Sequence, residues 1–194
     1  SPFDSSIVLK LTKNERYKER YQREGEVYRK LTFPSRPEMP TTVSATDILG
    51  FYGQGVIDGE TYINLKNIPT SAGKKDIVFS YLDSVDSISK YFYLALEYNP
   101  NYRTLYSIKN RDVKNKLFAS VCNSIFNLHQ KYNFVHGDLK TDNVMVEYDN
   151  ANDELIKVVN FDFDFSYFTH EQLGGGKSQV FKKDYGPLFN KKLS

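Results

Sequence analysis

The sequence contains one cysteine, no long apolar run and almost no excess of charge of either sign. A single cysteine, Cys122, excludes an internal disulfide and fits a reducing compartment such as the cytoplasm. No stretch reaches the ~20 apolar residues that a membrane-spanning helix needs, and no secretory signal is visible. The 26 basic and 24 acidic side chains leave a net charge of +2, which argues against nucleic acid or a membrane surface as the partner.

The length and composition predict a folded domain with a substantial core. The chain has 194 residues, of which 40% are hydrophobic, and this is enough for one domain or two small lobes. Four apolar residues recur at helical spacing and predict a helix in which Cys122 packs: Leu117, Val121, Ile125 and Leu128. That helix leads into the most informative segment of the chain.

Residues 136–143 read His-Gly-Asp-Leu-Lys-Thr-Asp-Asn. Phosphoryl transfer from ATP needs a carboxylate that accepts the proton of the attacking hydroxyl, a cation near the phosphate, and an oxygen ligand for Mg²⁺. Asp138, Lys140 and Asn143 supply these groups in that order. The apolar residues 144–146 predict a strand directly after them. A polar surface loop is the alternative, but it does not explain four residue types at fixed offsets.

A second acidic cluster follows a β-branched strand predicted over residues 155–161. Two registers fit a metal-binding triplet, namely residues 160–162 (Asn-Phe-Asp) and residues 162–164 (Asp-Phe-Asp). Because an amide is a poorer ligand than a carboxylate for a hard cation, Asp162 is the predicted ligand. The alternating phenylalanines also fit a strand with one apolar face, but that interpretation does not explain the carboxylates.

Together these two segments resemble the catalytic loop and the metal-binding segment of the eukaryotic-type protein kinase superfamily, in a compact or truncated, atypical form. The resemblance implies an α+β, two-lobed fold. The small lobe would span residues 1–98, β-rich with one charged helix, and a reduced, mainly helical large lobe would span residues 99–194. It further implies ATP and Mg²⁺ as cofactors, and a protein Ser/Thr kinase that acts on the hydroxyl of a protein substrate.

The resemblance also assigns an ion pair in the N-terminal part of the chain. Residues 7–10 (Ile-Val-Leu-Lys) resemble the strand that carries the phosphate-binding lysine, here Lys10. Its partner would be a glutamate on the following helix, which is predicted over residues 14–31. Glu24 and Glu26 are both candidates, and the family spacing selects Glu24.

The predicted connection between the lobes is the strand over residues 91–98. By the resemblance, Leu96 would stand at the back of the nucleotide pocket. The backbone of Glu97, Tyr98 and Asn99 would form hydrogen bonds with the adenine base. A buried strand without a ligand is the alternative interpretation of this segment.

The sequence departs from the kinase pattern at several places. No glycine-rich loop precedes Lys10, because the glycines at 50–55 follow the charged helix and predict a strand over residues 48–57 instead. The stretch at 174–178 lacks the first glycine of a P-loop, and the large lobe is expected to be truncated. Gly137 replaces the arginine that commonly binds an activation-loop phosphate, which suggests activity that does not depend on that modification.

Two other functional classes remain open. Small-molecule phosphotransferases of the aminoglycoside and choline kinase type also contain His-Gly-Asp and a similar acidic triplet, although they usually lack a lysine at the position of Lys140. A pseudokinase or binding module would explain the missing glycine-rich loop, but not the complete set of catalytic polar residues. Phosphorylation of a generic protein substrate would distinguish the protein kinase from the small-molecule enzyme.

Overall fold

The computed structural model describes residues 6–13, 15–33, 46–67, 77–79, 85–149 and 154–169. These residues form the predicted mixture of helices and strands. The strands are β1 (Ser6–Thr12), β2 (Phe51–Asp58), β3 (Ile77–Phe79), β4 (Lys90–Tyr98), β5 (Tyr102–Thr104), β6 (Phe134–Val135), β7 (Val144–Asp149), β8 (Glu154–Asn160) and β9 (Tyr167–Phe168). The helices are α1 (Glu15–Thr32), α2 (Gly59–Asn67) and α3 (Arg111–Tyr132), with a 3-10 turn at Leu105–Ser107.

A four-stranded sheet has the order β2-β4-β1-β3, with β4 antiparallel to β1 and β2, and β3 parallel to β1. Side chains alternate between the two faces of each strand. Leu9 and Leu11 therefore pack on one face of the sheet with Tyr62 of α2. Lys10, between them in sequence, is directed to the opposite face, against which α1 packs.

Helix α1 is strongly charged, yet it buries Val27, Tyr28 and Leu31 against the sheet. These residues recur at the three- and four-residue spacing of one helix face. Gly25 permits the close approach, because an added Cβ would collide with the side chain of Gln54. The helix is thereby held directly over the strands that line the site.

A second sheet, β5-β7-β8, packs against α3. Asn110 caps the start of α3 by accepting hydrogen bonds from two backbone N–H groups, and Asn133 ends it in the left-handed conformation with φ of 54°. Leu117, Val121 and Leu128 are buried as predicted. Cys122 is exposed, so its predicted packing is wrong. It lies about 100° round the helix from Val121, which places it outside the buried face.

Helix α2 and strand β3 were not predicted. The Asp58 carboxylate caps the start of α2, because it accepts hydrogen bonds from the Thr61 backbone N–H (2.7 Å) and hydroxyl (2.8 Å). The glycine-containing stretch 174–178 lies outside the described residues.

The largest hydrophobic cluster contains Tyr28 and Leu31 of α1 together with Leu128 and Tyr132 of α3. It therefore draws on both halves of the chain, and the division into two lobes near residue 98 stays a prediction. No helix in the described residues is long and apolar enough to cross a membrane.

Candidate active site

A cavity of about 650 Å³ opens between the four-stranded sheet and the β5-β7-β8 sheet. Every residue predicted to bind the nucleotide or the metal lines it: Lys10, Glu24, Leu96, Glu97, Tyr98, Asn99, Asn143 and Asp162. Val8, Leu49, Met145 and Phe161 add apolar walls; of these, sequence reasoning assigned none to the site. An apolar cleft with a few convergent polar groups is the usual form of a small-molecule site.

Lys10 lies between two carboxylates at the wall of this cavity. Its Nζ is 2.8 Å from Oε2 of Glu24 and 2.7 Å from Oδ1 of Asp162. Glu24 is fully buried, whereas Glu26 is exposed. Two residues correspond to about 200° around a helix, so only one of the two candidate glutamates can face Lys10. The structure selects Glu24.

The charges of this group are set by burial and mutual attraction. Burial lowers the pKa of Lys10, but attraction to Glu24 and Asp162 outweighs it and raises the pKa above the usual value. Burial raises the pKa of Glu24 to about 7, although Lys10 opposes the shift. Lys10 is therefore a persistent cation at the wall of the cavity.

Asp162, and not Asn160, reaches the cavity. Asp162 has a φ of 65°, which is uncommon for a residue other than glycine and is found where surrounding structure enforces it, often at functional sites. Asn160 is fully buried, and its Nδ2 donates to the Asp47 carbonyl and to Oγ of Ser124, each at 2.8 Å. The geometry thus agrees with the register that starts at Asp162.

The two candidate catalytic residues and the candidate metal ligand Asn143 form one cluster. Oδ2 of Asp138 accepts hydrogen bonds from Nζ of Lys140 at 2.8 Å and from Nδ2 of Asn143 at 3.0 Å. The hydrogen bond to Asp138 raises the pKa of Lys140, which keeps it charged. Because the amide nitrogen of Asn143 is directed to Asp138, its amide oxygen remains available to a cation at the cavity wall.

The donor set fits magnesium. Mg²⁺ is usually bound by one or two protein oxygens together with phosphates and water. Asn143 and Asp162 provide two such oxygens on the cavity wall. In the part of the chain that the structure describes, no group of three His, Cys, Asp or Glu side chains could hold a metal ion. A bound Mg²⁺ would therefore take its other ligands from the nucleotide and from water.

The predicted adenine-binding strand is constrained by its own contacts. The Glu97 N–H donates to the carbonyl of Gly50 at 2.7 Å, so it is not free for a base. The Glu97 carboxylate accepts hydrogen bonds from the Gly50 N–H at 3.0 Å and from the Tyr102 hydroxyl at 3.2 Å. The predicted contacts of residues 97–99 with adenine therefore cannot use the Glu97 N–H, and they stay a prediction.

A column of aromatic rings connects the catalytic loop to α1, and sequence reasoning did not identify it. The ring of Phe163 lies 5.4 Å from that of His136 and 4.6 Å from that of Tyr28, which in turn stacks on Phe51 at 5.5 Å. Burial lowers the pKa of His136, so its ring is neutral in this column. Phe163 therefore fixes the turn that begins at Asp162 against both elements.

The comparisons with known proteins point to one family. The model of the Ecdysteroid kinase-like family matches residues 67–170, more than half of the chain. The match includes the catalytic loop, Asp162 and residues 96–99, whereas Lys10 and Glu24 precede it. No curated protein matches the sequence.

Proposed function

The chain belongs to the Ecdysteroid kinase-like family, and we propose that it transfers the γ-phosphate of Mg-ATP to a hydroxyl group of a small molecule. The family is part of the kinase-like phosphotransferases, in agreement with the kinase resemblance of the motifs. It favours the small-molecule alternative over the protein Ser/Thr kinase that the sequence first suggested. The observation that carries the proposal is that Lys10, Asn143 and Asp162 line the same cavity, and that Asn143 contacts Asp138.

In this proposal the base of ATP lies between the apolar walls of the cavity, formed by Val8, Leu49 and Met145. Its phosphates extend toward Lys10, which is already oriented by Glu24 and carries a positive charge. A preorganised cation in a partly dry site stabilises phosphate charge more strongly than the same cation in water.

Asn143 and Asp162 would hold Mg²⁺, which when bound offsets the charge that develops on the phosphate oxygens. The two residues approach each other because the Phe161 N–H donates to the carbonyl of Asn143 at 3.2 Å. This backbone contact places Asp162, the next residue, beside the end of the catalytic loop.

Asp138 is the proposed base. Its carboxylate is about one-third exposed, so an acceptor hydroxyl can approach it. The acceptor oxygen forms a bond to the γ-phosphorus, the bond from that phosphorus to the β–γ bridging oxygen breaks, and ADP leaves. The hydroxyl proton passes to Asp138, while Lys140 stabilises the transferred group.

The name of the family suggests the first acceptor to test, which is an ecdysteroid with free hydroxyl groups. A protein hydroxyl is the second candidate. It is favoured by the 2.8 Å contact between Lys140 and Asp138, since a lysine at this offset resembles Ser/Thr protein kinases. Both candidates use the same chemistry and differ in the acceptor alone.

The test is transfer of labelled γ-phosphate from Mg-ATP to ecdysteroid, choline, aminoglycoside and generic protein acceptors. Asp138→Asn should reduce the rate by about 10²–10⁴-fold, because the positioned base is lost. Asp112→Asn, an exposed change in the first turn of α3, is the matched control and should retain the rate. Label on the protein acceptor alone would favour the second candidate. No transfer and no binding of ATP would favour a binding module.

A further inference from the structure

The turn that follows Asp162 lies between helix α1 and the catalytic loop and is held from both sides. The Ser166 N–H donates to the carbonyl of Phe163 at 3.1 Å, which closes the turn. Oγ of Ser166 donates to the carbonyl of His136 at 2.6 Å. From the other side, Nη2 of Arg23 donates to the carbonyl of Ser166 at 3.0 Å. Ser166 therefore ties α1 to the catalytic loop.

The contact of Arg23 with Ser166 is of a kind that fixes geometry. Ser166 is fully buried, and a hydrogen bond from a charged guanidinium is stronger than one between neutral groups. Loss of the guanidinium would leave a buried carbonyl without this donor. Arg23 directly precedes Glu24, so the helical turn that orients Lys10 also holds the turn of Asp162.

A second arginine, one helical turn earlier, faces the same segment. The guanidinium of Arg20 lies 5.3 Å from the centroid of the Phe165 ring. Two cations of α1 thus approach the turn that connects Asp162 to β9.

The catalytic loop itself cannot supply such a cation at the residue after His136. Gly137 has a φ of 80°, and an added Cβ there would collide with the carbonyl oxygen of Phe165. Any side chain at position 137 is therefore excluded by the path of the turn. The positive charge that contacts the turn comes from α1, and it binds a backbone carbonyl that is present without any modification.

We propose that Arg23 is a positioning residue that, through Ser166, holds the Asp162 turn in its metal-binding arrangement without phosphorylation of this segment. The proposal rests on the proposed function, since the arrangement matters for activity only if Mg-ATP binds in the cavity. Loss of the Arg23–Ser166 contact should raise the Mg²⁺ concentration that is needed more than it lowers the affinity for the nucleotide itself. Lys10 and the apolar walls line the cavity, whereas Arg23 and Ser166 do not, so the affinity for the nucleotide without metal should change little.

The first test is hydrogen exchange on the full chain, which requires no acceptor. In Arg23→Gln and Ser166→Ala, the peptide over residues 163–169 should exchange about 10-fold faster than in the wild type, because each change removes one side of the tie. Strand β4 should be unaffected. Arg29→Gln removes a charge from an exposed position of the same helix and should match the wild type. Arg23→Lys, which keeps a charged donor, should retain most of the protection of residues 163–169 from exchange.

The second test measures binding of a fluorescent ATP analogue with and without Mg²⁺. In Arg23→Gln the metal-free affinity should change less than about twofold, while the Mg²⁺ concentration for half-maximal effect should rise about 5–10-fold. Phosphatase treatment of the wild type should leave this Mg²⁺ concentration unchanged.

Unaltered exchange in both Arg23→Gln and Ser166→Ala would overturn the tie. Faster exchange in Arg23→Gln with an unchanged Mg²⁺ requirement would make Arg23 merely structural and would also overturn the proposal. A higher Mg²⁺ requirement of the wild type after phosphatase treatment would overturn it as well. A wild type that does not bind Mg-ATP would instead refute the proposed function, while the exchange experiment would still decide whether the tie exists.

Discussion

Lys10 and Asp162 are 152 residues apart in sequence, and their Nζ and Oδ1 atoms are 2.7 Å apart in the structure. The contact joins strand β1 of the four-stranded sheet to the turn that follows β8. Because Lys10 also contacts the buried Glu24, this one cation forms ion pairs with two carboxylates from different parts of the chain. The stability of the fold and the proposed binding of phosphate therefore depend on the same side chain.

A double variant can separate the effect of Lys10 on stability from its effect on the proposed binding of phosphate. Lys10→Met should destabilise the protein by about 3–5 kcal/mol, because it leaves the buried Glu24 without its cation. Adding Glu24→Gln removes the buried charge and should restore much of the loss, whereas ATP affinity should stay low in both variants. Urea unfolding and nucleotide titration measure the two effects. A double variant with wild-type ATP affinity would show that Lys10 does not contact the phosphates.

The two possible registers of the metal segment make different predictions. Asp162→Asn should abolish most of the enhancement of ATP binding by Mg²⁺, because a carboxylate ligand is replaced by a weaker amide. Asn160→Asp should act on stability instead, since it introduces a carboxylate at a fully buried position beside Ser124. Binding titrations at several Mg²⁺ concentrations, with urea unfolding of both variants, distinguish the registers. A stronger Mg²⁺ effect in a folded Asn160→Asp, with Asp162→Asn unaffected, would favour the register that starts at Asn160.

Local motifs and tertiary contacts differed in how far the sequence could predict them. Asp138, Lys140 and Asn143 lie within six residues, so their spacing alone placed them in one cluster, and the structure brings them together. Glu24 followed from helical periodicity combined with the family spacing. Arg23 and Ser166 are 143 residues apart, and no local pattern links them. Their contact depends on how α1 packs over the metal segment.

Single positions were also harder to predict than elements. The helix containing Cys122 was predicted correctly, but Cys122 was wrongly assigned to its buried face. Hydrophobic periodicity indicates the direction of a buried face better than it indicates which residues lie at the edge of that face. Helix α2 was missed although Asp58 caps its start, since Asp-Gly is equally typical of a turn. The aromatic column around Phe163 could not be predicted from the sequence, because its rings come from separate elements that meet only in the folded structure.

Gly137 should be sensitive to substitution. Gly137→Ala places a side chain at a φ of 80° and against the carbonyl of Phe165, and we expect a loss of roughly 2–4 kcal/mol in the free energy of unfolding. Gly53→Ala is the control, since Gly53 has a φ of 152° but open space around it. It should cost about 1 kcal/mol from backbone strain alone. Equal losses in urea unfolding would show that Phe165 moves freely and does not constrain position 137.

Asp164 should make the protein less stable as the pH rises through mildly acidic values. Burial, with repulsion from Asp162, raises the pKa of Asp164 from 3.8 to about 6 in the folded protein. The folded state therefore retains a proton that the unfolded state releases, and the resulting stabilisation, complete below pH 4, is lost as the pH rises toward 6. Asp164→Asn lacks this titration. The free energy of unfolding of Asp164→Asn minus that of the wild type should therefore increase by roughly 1–2 kcal/mol between pH 4 and pH 6, after allowance for solvent screening.

Urea unfolding at four pH values between 4 and 7 measures this difference, and Asp58→Asn provides a control at a carboxylate whose pKa is shifted in the opposite direction. Hydrogen bonds from Thr61 lower the pKa of Asp58, so its contribution is present above its unfolded-state pKa and is lost as the pH falls. The difference between Asp58→Asn and the wild type should therefore stay nearly constant from pH 4 to pH 7, because Asp58 titrates below this range. A difference between Asp164→Asn and the wild type that is constant from pH 4 to pH 7 would mean that the pKa of Asp164 is the same in the folded and unfolded states, so that Asp164 is ionised at neutral pH. The turn would then hold two charged carboxylates, at Asp162 and Asp164, next to Lys10.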